Sequence, residues 1–220
     1  VKANRIINDN LATGLFVYGT YNGFKSFDHL GNNGKGDGFR DYPSQTQINV
    51  ANRWNYEVHD GLCSQTLINY THEDRLGGQM SFTKDMKGSD SIYGLGGTVD
   101  RVHFFTKNGA PIGNTSSFGT QLSATYFKQD AFYGLSNYEG VETDVYANAL
   151  VNTMVRGGHN VDFGASFRYT DLEENLYSTP YIGANQFISN LQEGDLRANF
   201  IKEEIVPGVF GQFNFIYDKI

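Results

Sequence analysis

The chain has 220 residues, a net charge of -7, a hydrophobic fraction of 39% and a mean hydropathy of -0.43. No run approaches the roughly 20 apolar residues of a membrane-spanning helix, so a bundle of such helices is excluded. The acidic balance disfavours nucleic acid, whose phosphates call for clustered Lys and Arg. The lone Cys63 excludes an internal disulfide framework and sits in a strand pattern as a small wall residue.

Taken in chain order, Val1 to Ile7 reads as the end of a strand that turns at Asn8-Asp9-Asn10. A strand from about Thr13 to Phe24 follows, then a Gly- and Asn-rich connection from Lys25 to Pro43. From Thr46 to Val58, Ile48, Val50, Trp54, Tyr56 and Val58 alternate with Asn49, Arg53, Asn55 and Glu57. His59-Asp60-Gly61 is a tight turn. Leu62 to Thr71 returns with Leu62, Thr66, Ile68 and Tyr70 in phase, and a polar connection covers His72 to Ser91. A less regular strand from Ile92 to Thr106 ends at a turn over Asn108-Gly109-Ala110-Pro111.

Phe118 to Lys128 aligns Phe118, Leu122, Ala124 and Tyr126, before a connection from Gln129 to Gly140. Val141, Val145, Ala147, Ala149 and Val151 then oppose Glu142, Asp144, Asn148 and Asn152. Arg156 to Asn160 turns into the clearest strand. There Val161, Phe163, Ala165, Phe167 and Tyr169 point one way, and Asp162, Gly164, Ser166, Arg168 and Thr170 the other. The longest connection, Asp171 to about Glu204, precedes a last strand from Ile205 to Tyr217.

Strict alternation recurs, the second face is wet, and no helix supplies a partner layer. Lipid outside and water inside account for this, so the expected fold is an all-β, antiparallel transmembrane β-barrel. The abundance of Tyr, Phe and Gly, at 14, 17 and 26 residues, suits barrel walls, interfacial girdles and tight bends. Short turns near 8, 60, 110 and 158 alternate with connections over 25–43, 72–91, 129–140 and 171–204. Outer-membrane barrels keep short turns in the periplasm, which places the long connections outside. Val1-Lys2-Ala3-Asn4-Arg5 is not followed by the apolar core of a signal peptide, and the pattern begins within a strand. Residues 1–220 are therefore expected to form a single barrel segment, with a partial strand and eight full ones, within a larger receptor.

Three stretches carry a family resemblance: Asp37-Gly38-Phe39-Arg40-Asp41-Tyr42-Pro43, Asn52-Arg53-Trp54-Asn55-Tyr56 and Glu73-Asp74-Arg75-Leu76-Gly77-Gly78-Gln79. With Lys202 to Phe210, they resemble the barrel of TonB-dependent outer-membrane receptors of the Bacteroidetes type. The resemblance implies a barrel of about 22 strands with a plugged lumen. It also implies energy from an inner-membrane TonB complex, reached through an N-terminal part that is not recognisable here, nor is the plug domain. The cargo implied is a scarce small-molecule nutrient such as a ferric siderophore, haem, cobalamin or a glycan. Two alternatives stay open: a TonB-independent porin or adhesin barrel, and a secreted glycan-binding β-sandwich.

No catalytic arrangement stands out, so an enzyme is not expected. His29, His59, His72, His103 and His159 lack metal-ligand spacing. Gly94-Leu95-Gly96-Gly97 lacks the βαβ setting of a dinucleotide site. Glu142 and Asp144 share a strand face and are expected to line a hydrated lumen. Asp28, Asn33, Asp37 and Asp41 alternate with glycines, hard oxygens on a turn that suit Ca²⁺, although Lys35 occupies a ligand slot; a solvated loop is the alternative. Tyr177, Tyr181, Phe187 and Arg197 in the longest connection are the candidate contacts for a ligand or a surface lipoprotein, with loop self-packing as the alternative.

Overall fold

A computed structural model describes residues 1–23, 27–29, 34–58, 61–155, 158–178 and 196–215. Alternating apolar and polar residues leave each stretch able to satisfy its backbone only by pairing sideways, and the chain does so as one antiparallel meander. The strands are β1 (Lys2–Asn8), β2 (Leu11–Asn22), β3 (Ser44–Glu57), β4 (Cys63–Gly78) and β5 (Gly94–Ile112), followed by β6 (Ser116–Tyr133), β7 (Ser136–Val155), β8 (His159–Ser178) and β9 (Leu196–Asn214). They form a single 9-stranded sheet in chain order, in which β1 and β9 each have one neighbour. The all-β, antiparallel expectation holds; among the described residues the sheet is open.

Four boundaries differ from the sequence reading. The expected connection 129–140 is the two-residue turn Gly134-Leu135, with β6 and β7 paired down to Tyr133↔Ser136. Gly134 takes a positive φ of 59°, which a glycine adopts without steric cost. Asn108 to Pro111 is not a turn but the end of β5, and the chain reverses at Gly113 to Thr115. Cys63↔Gly109 is the last pair with β4, so Pro111 lies where β5 has a single neighbour and a missing N–H is tolerated. β4 continues to Gly78 through residues expected in a connection, and β8 and β9 absorb 171–178 and 196–204. The β4 extension is polar on both faces from Thr71 to Arg75, whereas in β8 and β9 the apolar residues Leu172, Leu176, Leu196, Ala198 and Phe200 stand on the face that is polar lower down, so the alternation changes phase there.

The registers sort the side chains. One face carries Ile48, Val50, Trp54 and Tyr56 on β3, Ile68 and Tyr70 on β4, Val102 and Phe104 on β5, and Phe118, Leu122, Ala124 and Tyr126 on β6. It continues through Val145 to Val151 on β7, Val161 to Tyr169 on β8, and Ile205 to Phe213 on β9. Many of these lie in the open: Phe163 is 51% exposed and Val209 89%. On β8 the nine residues from Val161 to Tyr169 give a band about 25 Å tall. Tyr70, Tyr126 and Tyr169 mark its upper edge, beyond which the same face turns to His72, Asp100, Lys128 and Asp171.

The band does not follow the hydrogen-bonded rows. The row through Ile48, its top on β3, runs by way of His72, Asp100, Lys128, Val141 and Glu173 to Ile201. On β9 the band begins only at Ile205, below Glu203. The row through Tyr56, its foot on β3, arrives at Val209, whereas the band on β9 descends to Phe213. Both edges slip by about four residues over six strand steps, a slant of about 25° at ~3.3 Å per residue and ~4.8 Å per strand.

Among the described residues only Phe82, Ala131 and Phe132 are buried apolar side chains. They lie at the long-connection end. Phe82, just before a 3-10 turn at Lys84–Met86, packs on Phe132 with ring centroids 5.9 Å apart, and Lys87 Nζ sits 5.2 Å from the Phe132 centroid. A side chain at Gly94 would overlap the Phe82 ring, which explains a glycine at this close approach.

Candidate functional site

The face opposite the apolar band is the surface with chemistry to offer. Its side chains are joined by polar contacts across the strands. Asn49 Nδ2 donates to Thr71 Oγ1 at 2.6 Å, and Asn69 Nδ2 to Asn49 Oδ1 at 3.2 Å. His103 Nε2 lies 3.3 Å from Ser123 Oγ, and Asn152 donates to Asp162. Asp144 Oδ2 accepts from Arg168 Nε at 2.7 Å and from Thr170 Oγ1 at 2.9 Å, while Lys202 pairs with Glu204 at 2.7 Å. Tyr138 donates to Glu174 at 2.7 Å. Such rows hold the polar side chains in place; they do not free a base or a nucleophile. Glu142 and Asp144 do share this face, but Asp144 is occupied by Arg168 and Thr170.

Charge divides this face along the sheet. On β3 to β5 it carries Arg53, Arg75, Arg101 and Lys107 against Glu57 and Glu73. On β7 to β9 it carries Glu142, Asp144, Asp162, Glu174 and Glu204 against Arg168 and Lys202. Gln121, Ser123, Thr125 and Gln129 of β6 form a neutral stripe between. A cavity of about 650 Å³ opens in the cationic part, beside Lys2 and Arg53. Sequence reading missed it, because nothing in local spacing signals that β1 and β3 bring these cations together across β2.

Asp28, Asp37 and Asp41 lie in the connection between β2 and β3; Asn33 is outside the described residues. Asp28 accepts from the Asp37 and Gly38 N–H groups at 2.7 and 2.8 Å, Asp37 from Phe39 N–H at 2.9 Å, and Asp41 from His29 N–H at 2.7 Å. These carboxylates turn to the loop's own amides. Among the described residues, no three His, Cys, Asp or Glu side chains are gathered as a metal would require. The same connection docks on the next one through the Phe39↔Gln79 bridge, Met80 N–H to Gly38 O at 2.8 Å, and Arg40 Nη2 to Phe82 O at 2.6 Å.

Tyr177 and Arg197 are strand residues, not loop residues. They are direct partners on β8 and β9, with the guanidinium 5.2 Å from the ring centroid. Asn199 donates to Asn175 two pairs below at 2.7 Å, and Asn137 and Glu139 complete an open cavity of about 420 Å³. By register, Tyr177 and Arg197 share the face of the apolar band, far above its upper edge, and so point away from the polar wall. Tyr181 and Phe187 lie outside the described residues. The described histidines are dispersed: His72 Nδ1 lies 2.8 Å from Asp100, which also accepts from Tyr70 OH at 2.8 Å, and His159 stacks on Phe215 at 4.4 Å. Cys63 is exposed and free. No protein-family model, no curated protein and no solved structure matches the chain.

Proposed function

We propose that these strands form wall of an outer-membrane β-barrel that imports a scarce nutrient, as a TonB-dependent receptor does, and that the chain is not an enzyme. The observation that carries the membrane part is the slanted apolar band. A soluble sheet buries its apolar face against a second layer, but the described residues contain one sheet and bury three apolar side chains. A band about 25 Å tall, rimmed by tyrosines, fits the hydrocarbon thickness that outer-membrane strands cross. Its slant is of the order that strands need when a sheet curls into a barrel, though shallower than the 35–45° of closed barrels. The secreted β-sandwich loses ground on the same observation. Coupling to TonB rests on the resemblance of the stretches around Asp37, Asn52, Glu73 and Lys202.

Spin labels in the full-length protein, reconstituted in bilayers, test the membrane part. A label at Phe163 should collide with dissolved oxygen, and one at Ser166 with a water-soluble nickel chelate. Equal access to nickel at both would reject it. The coupling is tested separately in cells that carry the protein, using labelled ferric siderophore, haem and cobalamin. Uptake should stop when the proton-motive force is collapsed; uptake that persists assigns a passive porin.

A further inference from the structure

We propose that the polar face of β1 to β3 holds an anionic ligand group, a carboxylate or phosphate on a partly apolar body, in the cavity beside Lys2 and Arg53. The proposal rests on the barrel reading only for its setting, in which this face lines a water-filled interior. The cavity, about 650 Å³, is lined on this face by Lys2 and Arg53 and by no carboxylate; Arg5, paired with Thr13, borders it from the opposite face. Phe16, Ala51 and Leu67 give it an apolar floor. Register puts Lys2, Phe16 and Ala51 in one row and Arg53 and Leu67 in the next on that face.

Arg53 is positioned by neutral groups: its Nε donates to Asn55 Oδ1 at 3.1 Å. Among the described residues, none of Lys2, Arg53, Arg101 and Lys107 on this face has an ion-pair partner. The contrast with β7 to β9 is informative, since there Asp144 and Glu204 meet Arg168 and Lys202. Cations left unmatched at this depth of a wall are costly unless water or an anion answers them, and such groups mark ligand paths. Guanidinium and ammonium donors around an apolar floor select an anion with a carbon body, as binding sites combine a few polar groups with apolar lining.

The test uses the full-length protein in detergent, with benzoate, phenyl phosphate and the neutral isostere benzamide as probes. Saturation-transfer NMR should show benzoate and phenyl phosphate bound, and benzamide bound far more weakly. Arg53→Gln with Lys2→Gln should weaken the anions by about tenfold or more, the scale of lost charge-assisted hydrogen bonds. Arg168→Gln, on the paired half of the wall, should leave them unchanged. Equal binding of benzamide and benzoate, or anion binding untouched by the double variant, would overturn the proposal. Spin-label access at Phe163 and Ser166 on the same samples keeps the two readings apart: charge-selective binding without lipid contact removes the membrane setting alone.

Discussion

At single positions, the alternation of β8 decides which substitutions matter. Phe163 and Ala165 belong to the apolar band, whereas Ser166 faces Asn148 and Gly208 on the polar side. Phe163→Arg should therefore cost about 2–4 kcal/mol near the bilayer midplane, while Ser166→Arg should be tolerated. Unfolding titrations in bilayers check this, and the reverse order would invert the assignment of faces. Gly134 supplies the reversal between β6 and β7 with its positive φ. Gly134→Val should cost about 1–2 kcal/mol by forcing a branched side chain into left-handed backbone, seen as a lower denaturant midpoint.

Among the elements, the docking of connection 79–93 is the part built by side-chain packing. Phe82 covers Gly94 and Phe132 and receives Arg40 through its carbonyl oxygen. Phe82→Ala should remove about 3–5 kcal/mol of local packing. Limited proteolysis should then cut within 79–93 faster, with the strands still protected. Unchanged cleavage would mean that the connection is held by its backbone contacts at Phe39, Gln79 and Met80 alone. The extended strand ends also carry two of the candidate ligand contacts. Tyr177 and Arg197 are fixed to paired strands rather than to a loop, so their geometry is set by the β8–β9 register.

For the molecule as a whole, the edges of the sheet dominate. β1 and β9 are both odd-numbered strands of a meander and run the same way, so joining them would need a parallel seam between 7 and 19 residues. Unpaired N–H and C=O groups cost several kcal/mol each in lipid. Residues 1–220 taken alone should therefore aggregate on refolding rather than form a heat-modifiable, protease-resistant barrel. A stable monomer in detergent would favour the small-barrel alternative.

The sequence by itself determined the all-β class, the strand succession and the two faces, because period-two alternation is a local property that survives into any pairing. Val161 to Thr170 and Thr46 to Val58 show this directly, and their phases are those of the structure. Where both faces are polar, as in Thr71 to Arg75, alternation is silent; where apolar residues change face, as at Leu172 and Leu176 on β8, the phase breaks and the strand end is not legible. Turn chemistry misled at Asn108 to Pro111, where a single-neighbour position accommodates the proline, and a two-residue reversal at Gly134-Leu135 was hidden because the consecutive Ala131, Phe132 and Tyr133 break the alternation before it. Only tertiary structure decided the slant of the apolar band, the placing of Tyr177 and Arg197 on the face of that band, and the sharing of one cavity by Lys2 and Arg53. Each depends on inter-strand register, which is fixed by pairing between residues tens of positions apart and leaves no trace in local spacing.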